Sequence, residues 1–256
     1  MSLIKKNEIF LLEEIVKKNF ASKYKDSVLG IFWTFLSPLL IMTLFTIIFS
    51  TLFKGNIINY PLYFLSGWCL FNFFSASIGG SMDSLRNNKN ILKRNPVPKH
   101  IFVLGSVISE FLNFIIMMII LVGVIIITHA QIYWFILPFV IIPIFSLLMM
   151  LIGVGLIVSI ACVYYADIRY LWSVVSMLFM YASCIFYPID IIPEPFRNYL
   201  VLNPLFWAID QFRCFIYVGV FPQLMNMVNF LLLSLIILIL GIIIFKKFEN
   251  KITMKF

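Results

Sequence analysis

Residues 30–53 read GIFWTFLSPLLIMTLFTIIFSTLF, a run of 24 positions without one charged side chain. A bilayer core about 30 Å thick takes about 20 apolar residues at roughly 1.5 Å rise per residue. The run therefore predicts a transmembrane helix. Pro38 inside it is tolerable because neighbouring helices can satisfy the carbonyl it frees. Five more runs follow at 60–82, 101–128, 132–164, 170–187 and 225–245. The second carries Gly67, Gly79 and Gly80 for close helix approach. The third is interrupted by Glu110, and the fourth has Pro138 and Pro143 near its start. The expected fold is an all-α membrane protein of six transmembrane helices in one domain over 1–256. Composition agrees: 62% of the 256 residues are hydrophobic and 12% charged, against about 25% charged in soluble domains.

The net charge of +8 raises nucleic acid as a partner until the cations are placed. Six lysines precede the first run, and Arg86, Lys89, Lys93, Arg94 and Lys99 lie between the second and third. Arg169 follows the fourth, and Lys246, Lys247, Lys251 and Lys255 follow the sixth. Sixteen of the 19 basic residues thus share one side, leaving Lys54, Arg197 and Arg213 on the other. That bias predicts a cytoplasmic N-terminus and C-terminus. Within 1–26, Ile9, Leu12, Val16 and Phe20 recur at helical spacing opposite Glu13, Glu14, Lys17 and Lys18. This predicts an amphipathic helix lying in the cytoplasmic interface. The charged start, followed by an overlong apolar run with no small-residue cleavage site, argues against a secretory signal.

Residues 198–221 are apolar enough to suggest a seventh crossing. Asp210 and Arg213 near the middle make that expensive, at roughly 2.5–3.5 kcal/mol for a charge at the bilayer centre. A seventh crossing would also move the C-terminal lysines outside. The reading is an outer re-entrant segment over 188–222, broken at Asn203-Pro204, between helices five and six.

Enzyme classes lack their residues. The chain has no H-E-x-x-H, no G-x-S-x-G and no G-x-x-x-x-G-K-[ST], and its acids are dispersed. Cys69, Cys162, Cys184 and Cys214 have neither C-x-x-C spacing nor nearby histidines, and read as packing residues. No metal or cofactor site is expected. A catalytic role is therefore not expected, and transport is the better class.

Five stretches add a resemblance. KYKDSVLGIFWTFLSPL (23–39), YFLSGWCLFN (63–72), NILKRNPVP (90–98), Tyr187-Pro188-Ile189 with Ile192-Pro193-Glu194, and Leu202-Asn203-Pro204-Leu205 followed by Gln211-Phe212-Arg213 occur in that order. Together they resemble ABC-2 type permeases, in the branch that exports lipid-linked O-antigen, capsule or teichoic acid. One loop departs from the family's common Arg-Asp-Ile: it reads Tyr164-Tyr165-Ala166-Asp167-Ile168-Arg169, with Ala166 at the arginine position and Arg169 as the nearest substitute.

The resemblance implies a homodimer of permeases with two separate ATPase chains, which hold ATP and Mg, in a bacterial inner membrane. It also implies a short cytoplasmic helix within 83–99 that docks on the ATPase. Ser81 or Asp83 would cap it, and Pro96 and Pro98 would end it. Leu85, Ile91 and Leu92 would supply contact area; Arg86, Lys93 and Arg94 would supply charge, with Asp167 and Arg169 assisting. Asn203, Pro204, Asp210 and Arg213 form an expected outer gate. Glu110, one helical turn from Asn113, reads either as a channel-lining residue or as an interhelical hydrogen bond. Of the aromatics, Phe32, Trp33, Phe35, Phe71, Phe74, Tyr181, Phe186 and Tyr187 are candidates for a conduit, because flat amphipathic rings stack on sugars and release them. Core packing and lipid contact are the competing account. A drug or lipid permease and a non-transporting scaffold remain as alternatives.

Overall fold

The computed structural model describes residues 6–24, 30, 32–52, 57–94 and 97–255. Every regular element among them is helical. Helix α1 is Lys6–Tyr24, α2 Phe32–Leu52, α3 Tyr60–Asn87 and α4 Lys89–Arg94. Then come α5 (His100–Ile127), a 3-10 turn at Leu137–Val140, α6 (Ile141–Tyr164) and α7 (Ile168–Ala182). After a second 3-10 turn the chain forms α8 (Glu194–Leu200) and α9 (Pro204–Arg213). A π-helical turn at Cys214–Val218 leads to α10 (Leu224–Lys255). Lys5, Lys25, Asp26, Lys54 and Pro96, and part of the 23–39 stretch, lie outside the described residues.

Five helices are long and apolar enough to cross a bilayer: α2, α3, α5, α10, and α6 together with the 3-10 turn before it. The expected run at 170–187 is different. Its helix α7 has 15 residues, about 22 Å at 1.5 Å per residue, and residues 183–187 leave the helix as turns. Two others run past the apolar limits. α3 continues to Asn87, and α10 has 32 residues, about 48 Å, so its basic end projects beyond a 30 Å core. The run at 132–164 starts late: residues 130–136 are not helical, and Pro138 sits in the first turn of the 3-10 helix, where its missing N–H is harmless.

Helix α3 is the centre of the fold, with most of its length buried. Its start is set by Asn59, whose side chain accepts from the Leu62 N–H at 3.3 Å, with Pro61 in the first turn. Around it packs a core that includes Phe64, Phe74, Phe114, Leu147, Phe212 and Phe215. α6 crosses α10 at glycines: a Cβ on Gly153 would lie 2.5 Å from the Ile237 carbonyl oxygen, and one on Gly241 would lie 2.7 Å from the Gly153 Cα. A second cluster gathers one end of the molecule. Ile15 of α1, Leu85 of α3, Leu92 of α4, Phe102 of α5, Ile160 of α6 and Ile252 of α10 meet there. Lys99 adds a polar tie, its N–H and Nζ reaching the Glu249 Oε1 and carbonyl at 3.4 and 2.5 Å.

The amphipathic stripe of α1 is rotated from the expected one. Ile9 is exposed, while Leu11, Leu12 and Ile15 pack inward. The reason is Gly105 on α5, whose missing side chain admits Ile15; a Cβ there would lie 3.2 Å from the Ile15 Cβ. α1 therefore has a protein partner along part of its apolar face.

Candidate functional site

The expected coupling residues fall on two elements. Asp83, Leu85 and Arg86 belong to the last turns of α3, and Ile91, Leu92, Lys93 and Arg94 to α4. Ser81 and Asp83 cap nothing, since both lie inside α3. The break comes at Asn88, whose Nδ2 donates to the Ser84 carbonyl at 2.8 Å. Its Oδ1 accepts from Lys18 Nζ of α1 at 3.0 Å. Such side-chain competition for the backbone ends a helix. Leu85 and Leu92 are core residues at 0% and 4% exposure, whereas Ile91 is 38% exposed beside Lys93 and Arg94. The expectation that all three apolar side chains offer contact area is corrected to Ile91. Arg169 forms an ion pair with Asp83, tying the first turn of α7 to the end of α3. Asp167 stands exposed at the N-terminus of α7, without a side-chain cap bond.

The expected conduit residues separate. Phe71, Phe74 and Phe186 are buried. Phe74 packs on Phe179 at 5.1 Å and Phe186 on Phe45 at 4.8 Å between ring centroids. These three hold helices together and line no open surface. Phe35 is half-buried against the same core. Tyr187 is half-buried past the end of α7, its hydroxyl donating to the Tyr181 carbonyl at 2.5 Å. Phe32, Trp33 and Tyr181 are exposed on α2 and α7, although the Tyr181 ring lies 5.9 Å from that of the buried Phe186. Among the apolar helices those two are also the barest: 6% of the α2 window is buried, and α7 has no buried residue.

Glu110 accepts from Asn113 Nδ2 at 2.9 Å, as the spacing suggested, and also from Lys23 Nζ of α1 at 3.0 Å. The lysine was not foreseen.

The outer residues converge most tightly. Asn203 caps α9 by accepting from the Leu205 N–H at 2.9 Å, with Pro204 in the first turn. Its Nδ2 donates to the Ala182 carbonyl at 3.1 Å. Arg213, 8% exposed, donates to the carbonyls of Cys184 (2.8 Å), Tyr63 (3.0 Å) and Ile185 (3.1 Å). Its guanidinium carbon lies 3.6 Å from the Tyr63 ring centroid, a cation–π stack. The Tyr63 hydroxyl donates to the Cys184 and Tyr187 carbonyls at 3.1 and 2.8 Å, and the Tyr60 hydroxyl to Phe186 at 3.1 Å. The turn that ends α7 thus has its carbonyls taken by side chains from α3 and α9. Gly67 makes room: a Cβ there would lie 2.8 Å from Nη2 of Arg213. Asp210 is exposed and lines a cavity of about 280 Å³ with Arg213, Pro188 and Tyr217. The sequence marks Gly67 for close approach, and Arg213 and the Ile185 backbone are what approach it; the hydroxyls of Tyr60 and Tyr63 have no part in that reading.

A profile of the ABC-2 type transporter family matches residues 11–217. Among similar proteins is an O-antigen export system permease protein of Klebsiella pneumoniae, 27% identical over 246 residues, covering 94% of this chain and 93% of that protein. Another protein of that description, from Myxococcus xanthus, is 24% identical over 81% of this chain and 80% of its own length. A polysialic acid transport protein of Escherichia coli is 22% identical over 93% of both chains. With a family profile spanning four-fifths of its residues, the chain belongs to the ABC-2 type transporter family.

Proposed function

We propose that this chain is the permease subunit of an ATP-driven exporter of a lipid-linked polysaccharide across a bacterial inner membrane. The observation that carries the reading is near full-length similarity to permeases named for O-antigen export, on a chain with five bilayer-length helices. ATP and its Mg belong to a separate ATPase, present in two copies with two permeases. Six crossings, α7 being the short fifth, put both termini in the cytoplasm. In support, α1, α4 and the tail of α10 share one end of the fold, and that end is the basic one. The segment 188–222 is the outer re-entrant part. Two copies that apposed their bare α2 and α7 faces would enclose Phe32, Trp33 and Tyr181, which supports a conduit there, opened by the ATPase. A cell lacking this chain is expected to retain finished lipid-linked polysaccharide on the inner leaflet, read by surface labelling of intact against lysed cells. Normal surface polysaccharide in that strain would refute the proposal.

Coupling is assigned to α4. Ile91→Asp is expected to leave folding unchanged and to abolish permease stimulation of the ATPase, because a carboxylate replaces the exposed apolar contact. Leu92→Asp is expected instead to lower yield, because it buries a charge. ATPase rates in co-reconstituted vesicles, beside size-exclusion profiles, separate the two. Stimulation that survives Ile91→Asp would remove α4 from the docking surface.

A further inference from the structure

Two cavities meet at the Lys23–Glu110 pair. One, of about 390 Å³, lies among α1, α3 and α5 and is lined by Lys18, Ser22, Ser84, Asn87, Ser106 and Ser109. The other, of about 420 Å³, lies among α2, α3 and α5, with Trp33, Thr34, Ser37, Trp68 and Asn72 in its walls. Lys23 lines both, Glu110 the first and Asn113 the second. The pair is therefore a partition.

The first cavity is rich in hydroxyls, amides and ammonium groups. Its acids are already matched: Asp83 faces Arg169, and Glu110 faces Lys23. Lys18 adds a further cation, whose described partner is the neutral Asn88 side chain. A donor-rich chamber whose two acids are already paired, and whose Lys18 ammonium meets a neutral amide, favours an anion with several acceptor oxygens. The second cavity joins polar side chains to two indole rings, and Trp33, which lines it near the start of α2, is 47% exposed. Indoles favour the boundary between headgroup and hydrocarbon. Charge in one chamber and an amphipathic, lipid-facing exit in the next match the two ends of a lipid phosphate.

We propose that Lys23 and Glu110 form a latch over a lipid-phosphate site: the phosphate takes Lys23 and Lys18, Glu110 is left with its existing Asn113 partner, and the lipid tail leaves along α2 past Trp33. Glu110 acts as a resident competitor that holds Lys23 until a lipid phosphate replaces it. The phosphate can come from an isoprenoid carrier or from a bulk phospholipid. The first source rests on the export reading and the second does not.

The test uses purified full-length permease in phosphatidylcholine nanodiscs, without ATPase or polysaccharide, so its result is independent of the export assay. Farnesyl diphosphate and inorganic pyrophosphate are titrated against tryptophan fluorescence, and nanodiscs containing phosphatidylglycerol are compared by lipid retention in native mass spectrometry. Lys23→Gln is expected to weaken the lipid phosphate by about tenfold or more, as loss of a charged hydrogen-bond partner does. Glu110→Gln is expected to tighten it several-fold, because the competitor is gone. A structural ion pair would shift both variants in the same direction. The charge swap Lys23→Glu with Glu110→Lys keeps the pair, and so the fold, but moves the cation onto α5; it is expected to bind as weakly as Lys23→Gln. Tight farnesyl diphosphate binding identifies a carrier phosphate, and phosphatidylglycerol retention alone identifies bulk lipid. Equal affinity for inorganic pyrophosphate, or binding unmoved by Lys23→Gln and Glu110→Gln, would overturn the site.

Discussion

Arg213→Gln is expected to abolish export and to lower the stability of the purified permease by about 1–3 kcal/mol. The buried guanidinium serves the carbonyls of Tyr63, Cys184 and Ile185 at once, and a buried acceptor left unpaired costs about 1–3 kcal/mol. Glutamine reaches one of them at best. Arg213→Lys is expected to rescue little, because an ammonium is a point donor and cannot span the fork or stack flat on Tyr63. Gly67→Ala is expected to give a milder form of the same defect, since its Cβ would press on Nη2 from 2.8 Å. Thermal unfolding in detergent, beside surface polysaccharide in cells, reads both effects. A stable, export-competent Arg213→Gln protein would show that the end of α7 is held by other means.

The second large effect is expected at the α6–α10 crossing. Valine at Gly241 or Gly153 must push backbone off backbone, because the atoms it meets are main-chain atoms of the facing helix. Small residues are what let membrane helices approach this closely, and overpacking commonly costs about 1–3 kcal/mol even where neighbours can yield. Here they cannot. Gly241→Val is expected to leave little folded protein in a size-exclusion profile. Gly123→Val supplies the contrast: a Cβ at Gly123 meets nothing within 4 Å, and near-normal yield is expected. Equal yields for the two variants would show that the α6–α10 crossing tolerates a side chain between the helices.

The long helices were readable because bilayer thickness sets a length that an uncharged run either meets or misses. α5 matches the expected 101–128 within a residue at each end. What failed depended on distant partners. The apolar run 170–187 gives no local sign that the helix stops at Ala182; the stop comes from carbonyls captured by Tyr60, Tyr63 and Arg213. Likewise, Leu92 and Ile91 are adjacent apolar residues among lysines, and only the cluster that Leu92 joins, with side chains of α1, α3, α5, α6 and α10, decides which one faces out. Asn113 was found as the neighbour of Glu110 because it lies one turn away. Lys23, 87 positions distant, was beyond the reach of local periodicity. Among the aromatics, residue type alone did not distinguish the buried Phe186 from the exposed Tyr181.

The brevity of α7 has a mechanical consequence under the proposed topology. A helix of 15 residues falls about 8 Å short of a 30 Å hydrocarbon slab. Lipids next to it must compress or splay to meet it, at fractions of a kcal/mol per Å of mismatch. The membrane is then pinched beside the very helix that carries the half-exposed ring of Tyr181. A hydrophilic polymer leaving at that pinch has less oil to pass. Acyl-chain length in the surrounding leaflet becomes a dial on how readily it escapes.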